Sequence, residues 1–275
     1  MTEPVCLTSA LELDTSQTTI LNSVRSVVAQ FDDDYWLQLD RTGEFPHAFY
    51  DEMAKGGWLG IAMPEEVGGA GLGIFEAALI MHTVANSPGG MSAASAIHIN
   101  IFGPHPIVVH GTEDQKREWL PELIQGRSKC CFGVTEPDSG LETGSIQTFA
   151  QPDDDGYIVT GQKIWTSTAQ HADKIMLLAR TTPKELCQRA TDGLSLFFTD
   201  LDKRFVEVRE IPKMGRSAVD SNLVFFDGLP VPRKDLIGEE DRGFEYILNG
   251  FNPERILIGA EALGIGVQEL NRAGD

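Results

Sequence analysis

The chain has 275 residues, 41% of them hydrophobic and 23% charged, which is the balance of an ordinary globular protein of two domains. Its 41 acidic and 22 basic side chains leave a formal charge of −19, so like-charge repulsion excludes nucleic acid and anionic membrane surfaces as partners. No stretch approaches the ~20 consecutive apolar residues of a membrane-spanning helix.

The amino terminus, MTEPVCLTSALELDTSQTT, carries Glu3, Glu12 and Asp14 ahead of the first basic residue, Arg25. A secretory signal needs early positive charge, and a mitochondrial presequence needs arginine without acids. Neither pattern is present, which points to the cytoplasm, with a mitochondrial or peroxisomal setting left open. Of the four cysteines, Cys6, Cys130, Cys131 and Cys187, no pair has zinc-knuckle spacing and the adjacent pair would form a strained bridge. Reduced thiols and no metal site are expected.

Residues 18–40 carry an apolar stripe, Ile20, Val24, Val27, Val28 and Phe31, with the 3.6-residue period of a helix. GIFEAALIMHTVANS and MSAASAIHINIF have a similar pattern, and GPHPIVVHG reads as a helix broken by prolines. In GTEDQKREWLPELIQG, Thr112 and Gln115 form a capping-box signature, and Pro121 is expected to kink or end that helix. From Cys130 the texture turns to alternating strands: GYIVTGQKIWTST, DKIMLLART, LSLFFTDL, FVEVREI and SNLVFFDGLPVP. DDDG at 153–156 is a hairpin turn, and about 100 residues of strand suggest an antiparallel barrel or sandwich. The expected domains are 1–129, helical; 130–238, strands; and 239–275, helical again.

In the last segment Asn252 reads as an N-cap, Pro253 as the first helical residue and Glu254 as the favourable charge of the first turn. The face Ile256, Ala260, Leu263, Val267 and Leu270 is apolar, and little polarity lies elsewhere before Asn271, so a core helix is expected. Glu261 lies two turns beyond Glu254 and reads as structural. GGAGLG at 68–73 does not match G-x-G-x-x-G and follows no strand, so it is no nucleotide fingerprint. His98, His105 and His110 show no paired carboxylate or metal-ligand spacing and read as core or surface residues.

Two motifs, FGVTEPDSGLETGS (132–145) and GQKIWTST (161–168), together with AMPEEVGGAGL and GTEDQKREWLPELIQG, resemble the acyl-CoA dehydrogenases. The resemblance implies an α+β fold, with an amino-terminal helical domain, a middle β-domain and the start of a carboxy-terminal helical domain. It implies FAD-dependent oxidation of an acyl-CoA thioester to the trans-2-enoyl-CoA, with electrons passing to an electron-transfer flavoprotein or similar acceptor, in a dimer or tetramer. By resemblance Phe132, Val134 and Thr135 on one strand, and Trp165 and Ser167 on the next, line the flavin, with Trp165 covering one ring face. Gly140 approaches the pyrophosphate, and Leu141 stands where the family usually has serine, removing a hydrogen bond. A subset of the family places its catalytic glutamate where this chain has Glu254, making it the candidate base for the α-proton. Asn252 and Arg255 would contact CoA. The alternatives are a non-catalytic subunit that assembles with a fuller relative, or an oxidase or flavin monooxygenase on the same fold. Taken alone, Trp165 could be a core aromatic, Glu254 plain helix-terminus electrostatics and Arg255 a partner of Glu254 or Glu261.

Overall fold

The computed structural model describes residues 12–274; Glu3 and Cys6 lie outside that range. Helix α1 (Thr15–Val28) opens on Asp14, whose carboxylate accepts from the Gln17 amide while the Gln17 side chain returns to the Asp14 amide. The single stripe expected over 18–40 is two helices. Asp32 accepts from the Tyr35 amide and starts α2 (Asp33–Thr42), because an aspartate at that point favours a cap over a continued helix. Helices α3 (His47–Lys55), α4 (Ile74–Ala85), α5 (Gly90–Phe102), α6 (His105–His110) and α7 (Glu113–Ile124) complete the amino-terminal layer. The Thr112–Gln115 capping box forms as expected. Pro121 does not end α7, which runs on to Ile124. The carbonyl left without its partner belongs to Arg117 on the exposed face, while buried Trp119, Leu120, Leu123 and Ile124 hold the last turns in place.

Eight strands follow: β1 (Cys130–Gly133), β2 (Phe149–Asp153), β3 (Gly156–Ser167), β4 (Lys174–Arg180), β5 (Leu194–Asp200), β6 (Val206–Glu210), β7 (Ser221–Pro232) and β8 (Leu236–Ile237). They form one mostly antiparallel sheet in the order β6-β7-β3-β2-β4-β5-β8, with β1 parallel to β4. The expected hairpin is present, with Asp153 opposite Gly156. A single pair, Phe149 with Arg180, joins the two halves of the sheet. Tyr157, Val159 and Val224 from one half and Ile175, Leu177 and Phe197 from the other share one core, so the sheet folds over on itself. The opposite faces of β4 and β5, with Met176, Leu178, Leu196 and Phe198, pack into the core of the helical layer. Both faces of these central strands are therefore buried, which explains their near-continuous apolar sequence.

The last helix departs from its expectation. α8 runs unbroken from Gly243 to Gly274, with Pro253 inside it. A mid-helix proline costs roughly 3 kcal/mol, yet Tyr246, Ile247 and Gly250 are buried before it and Leu257, Glu261, Gly264 and Val267 after it. Tertiary packing on both sides overrides the local start signal at Asn252. The face expected to be core is wrong as well: of its five residues only Val267 is buried, whereas Ile256, Leu263 and Leu270 are exposed. Gly264 explains the rotation. A Cβ there would stand 2.3 Å from the His82 carbonyl oxygen, so α8 turns its glycine edge towards α4 to reach van der Waals contact.

Candidate active site

A cleft of about 410 Å³ opens between the sheet and the helical layer. One wall is built from β3 and the turn after β1. Between Lys163 and Thr166 the β3–β7 ladder slips out of register, and at this bulge Trp165 adopts φ +61°. A left-handed backbone is uncommon for an aromatic residue, and bulges re-aim side chains. Here the indole is turned out of the sheet into the cleft and is 59% exposed. Ser167 lines the same wall.

Val134 and Thr135 follow the end of β1 rather than lying on it, and β1 pairs with β4, not with β3. The link to β3 is made instead by the Ile164 amide, which donates to the Thr135 carbonyl at 2.9 Å, and by the Lys163 side chain. Lys163 is wholly buried and donates to the Val134 carbonyl at 3.0 Å and to Glu136 Oε1 at 2.8 Å. The Glu136 carboxylate in turn accepts from the amides of Gln147 (2.7 Å) and Thr148 (3.0 Å). Burial acts to raise the Glu136 pKa, but the Lys163 charge and these hydrogen bonds outweigh it and hold the carboxyl below its usual range. Burial lowers Lys163 to about 8 against the pull of Glu136. The far end of the turn is held by Arg180, which donates to five carbonyls, among them Gly144, Ile146 and Ala190. The 134–148 segment is thus clamped at both ends. Gly140 and the fully exposed Leu141 face the cleft from its middle.

The opposite wall is helical. α5 presents Ser95, His98 and Phe102; α8 presents Phe251, Glu254 and Glu261. Glu254 is half-buried, and burial, with a smaller contribution from Glu261, raises its pKa against the opposing effects of His98 and Arg255. His98 Nδ1 lies 2.5 Å from Glu261 Oε1, and both side chains are buried. His98 is a core residue, as expected, but it does have a carboxylate partner, supplied by a helix 163 residues away; Glu261 is buried, in keeping with a structural role, and also lines the cleft. Arg216, from the β6–β7 loop, also enters the cleft, and nothing local in the sequence marks it.

Of the residues singled out beforehand, Phe132, Val134, Thr135, Gly140, Leu141, Trp165, Ser167, Glu254 and Arg255 all line this cleft. Asn252 is exposed and does not; its side-chain oxygen accepts from Arg255 Nη1 at 2.9 Å. His110 stays outside, bonded to Asn249 and stacked near Tyr246.

Residues 14–127 match the amino-terminal domain of acyl-CoA dehydrogenase, and residues 131–229 match its middle domain. Acyl-CoA dehydrogenase FadE12 of Mycobacterium tuberculosis is 31% identical over 279 residues, covering 98% of this chain and 68% of that protein. The chain belongs to the acyl-CoA dehydrogenase family. A probable acyl-CoA dehydrogenase from Mycobacterium abscessus superposes with a TM-score of 0.87 at 27% identity, over 95% of this chain and 68% of the other. The chain is also similar to a 3-(aryl)acrylate reductase of Clostridium sporogenes, 29% identical over 86% of this chain and 62% of the relative. The chain thus spans about two thirds of the length of these relatives. The fold expected from the resemblance, helices followed by a mostly antiparallel sheet and a further helix, is the family's fold. Among the described residues no helix is long and apolar enough to cross a membrane.

Proposed function

We propose that the cleft binds FAD along its sheet wall and an acyl-CoA thioester against its helical wall, and that Glu254 removes the α-proton as the acyl group is oxidised to the trans-2-enoyl thioester. The observation that carries this reading is a half-buried carboxyl group facing, across one cleft, an indole turned outward at a strained bulge.

The sheet wall fits a flat aromatic cofactor. Trp165 offers an exposed ring for stacking, and Thr135 and Ser167 bring hydroxyl groups to the same side. Gly140, beside which an added Cβ would meet nothing within 4 Å, leaves the turn open to a phosphate chain. FAD, when bound, supplies the acceptor for the β-hydride. The chain's own residues do the rest. Glu254 holds the proton taken from the α-carbon, Phe102 and Phe251 exclude water, and the Lys163–Glu136 clamp fixes the segment carrying Thr135. An electron-transfer flavoprotein as acceptor and assembly into dimers or tetramers belong to the same proposal.

A second reading runs the same residues in the opposite direction: Glu254 would give a proton to the α-carbon of an enoyl thioester whose β-carbon takes a hydride from reduced flavin, the reductive direction named for the Clostridium sporogenes relative. Glu254→Gln decides whether the carboxyl matters in either direction. A positioned base contributes typically 10²- to 10⁴-fold, so reduction of bound flavin by acyl-CoA under anaerobic conditions should fall by about that factor while flavin absorbance is retained. Undiminished reduction in this variant would place the base elsewhere.

A further inference from the structure

We propose that the deep end of the cleft recognises a hydroxyl group on the acyl chain, through Arg216, Ser95, His98 and Glu261; the inference rests on the thioester reading above and deepens it. Arg216 is held at φ +54°, in the left-handed region, which directs its guanidinium into the cleft. Nη1 donates to Ser95 Oγ at 3.0 Å and Nη2 to Ser221 Oγ at 2.8 Å. Those are its hydrogen bonds among the described residues, and no described carboxylate forms an ion pair with it. A guanidinium carries five N–H donors, so several stay available to a ligand. Beside it, His98 and Glu261 bind each other by one atom apiece, and the second polar atom of each, His98 Nε2 and Glu261 Oε2, is buried with no partner among the described residues.

A ligand filling the cleft takes the place of solvent along this wall. A plain alkyl chain would leave the remaining N–H groups of Arg216 and the second polar atoms of His98 and Glu261 unpaired, and unsatisfied polar groups disfavour binding far more than one new bond favours it. The missing partner must accept from Arg216 and donate towards the side of His98 and Glu261. A hydroxyl group does both. A carboxylate fits less well, because Glu254 and Glu261 on one helix already set two acidic groups beside Arg216, and the other lining arginine, Arg255, is bonded to Asn252. Glu261 lies two turns from Glu254, about 10 Å along the axis at 1.5 Å per residue. The recognised oxygen therefore belongs at the end of the acyl chain remote from the reacting carbons.

The test is calorimetric titration of the chain, with FAD added, with hexanoyl-CoA, 6-hydroxyhexanoyl-CoA and adipoyl-CoA, repeated for Arg216→Gln. The hydroxylated thioester should bind about tenfold more tightly than hexanoyl-CoA, and Arg216→Gln should remove that preference. Equal or tighter binding of hexanoyl-CoA overturns the proposal, as does a preference that survives in the variant. Tightest binding of adipoyl-CoA overturns it in favour of an anion site. Failure of all three thioesters to bind overturns the thioester reading together with this one, whereas binding without preference overturns this one alone. Should Arg216→Gln not fold, as judged by circular dichroism, Arg216→Lys keeps the charge but loses the fork and should still weaken the preference; an unchanged preference there counts against the proposal.

Discussion

The two walls of the cleft hold their side chains by different means. The sheet wall is fixed by polar bonds close to the site, in which Lys163 and Glu136 tie the Thr135 turn to β3 and Arg180 ties down its far end. The helical wall is fixed by packing, with the glycine edge of α8 against α4 and one polar contact, His98 with Glu261, crossing from α5 to α8. The polar wall keeps its geometry only while every charge is matched. The packed wall keeps its geometry only while volumes match, and it leaves His98, Glu261 and Glu254 with unspent chemistry. Under the proposed function, that division would suit a flat cofactor on the rigid wall and a thioester on the packed one.

The sharpest way to break the comparison is to unmatch the buried pair. Lys163→Met leaves Glu136 as an uncompensated buried carboxylate and should cost roughly 3–5 kcal/mol in denaturant unfolding. Adding Glu136→Gln should recover part of that loss, and if it does not, the pair is not the clamp described. The same contact gives a pH dependence. The Glu136 pKa is lower folded than unfolded, so its stabilisation is fully present above the ordinary carboxylate value of 4.5. It is lost as the pH falls through the lowered folded value, and the acid limb of stability should flatten in Glu136→Gln.

On the helical wall the expected effect is smaller. Gly264→Ala drives a methyl group into the His82 carbonyl and should cost roughly 1–3 kcal/mol by overpacking, seen as a lowered melting temperature. A neutral result would mean that α8 can slide on α4. Smallest of all, Trp165→Leu removes an exposed ring that the fold does not need, so stability should stay within about 0.5 kcal/mol. FAD affinity should nevertheless fall by up to about tenfold, a loss of stacking near 1 kcal/mol, measured by flavin fluorescence. Stability falling with unchanged affinity would return Trp165 to a purely structural role.

Much of the sheet wall was legible because its parts are close in sequence or carried by one motif. Thr135, Gly140, Trp165 and Ser167 were all picked out, although the turn after β1 replaces the strand expected at Thr135. The helical wall was read less well. Glu254 and Arg255 do line the cleft, Asn252 lies within α8 rather than capping it, and nothing local shows that His98 and Glu261 meet. Each lacks a local signal, since a histidine and a glutamate 163 residues apart meet only when α5 and α8 pack.

By itself the sequence determined the change from helices to strands near Cys130 and the capping box of α7, which rest on periodicity and turn chemistry acting over a few neighbouring residues. The family and the residues of the sheet wall came from the resemblance that two short motifs carry. The tertiary structure alone decided that α8 runs through Pro253, which of its faces is buried, and that His98, Arg216 and Glu261 share one end of the cleft. Helix continuity there depends on burial on both sides of the proline, and burial depends on how closely a glycine lets two helices approach. No local pattern contains that information, because the energy belongs to contacts between residues far apart in the chain.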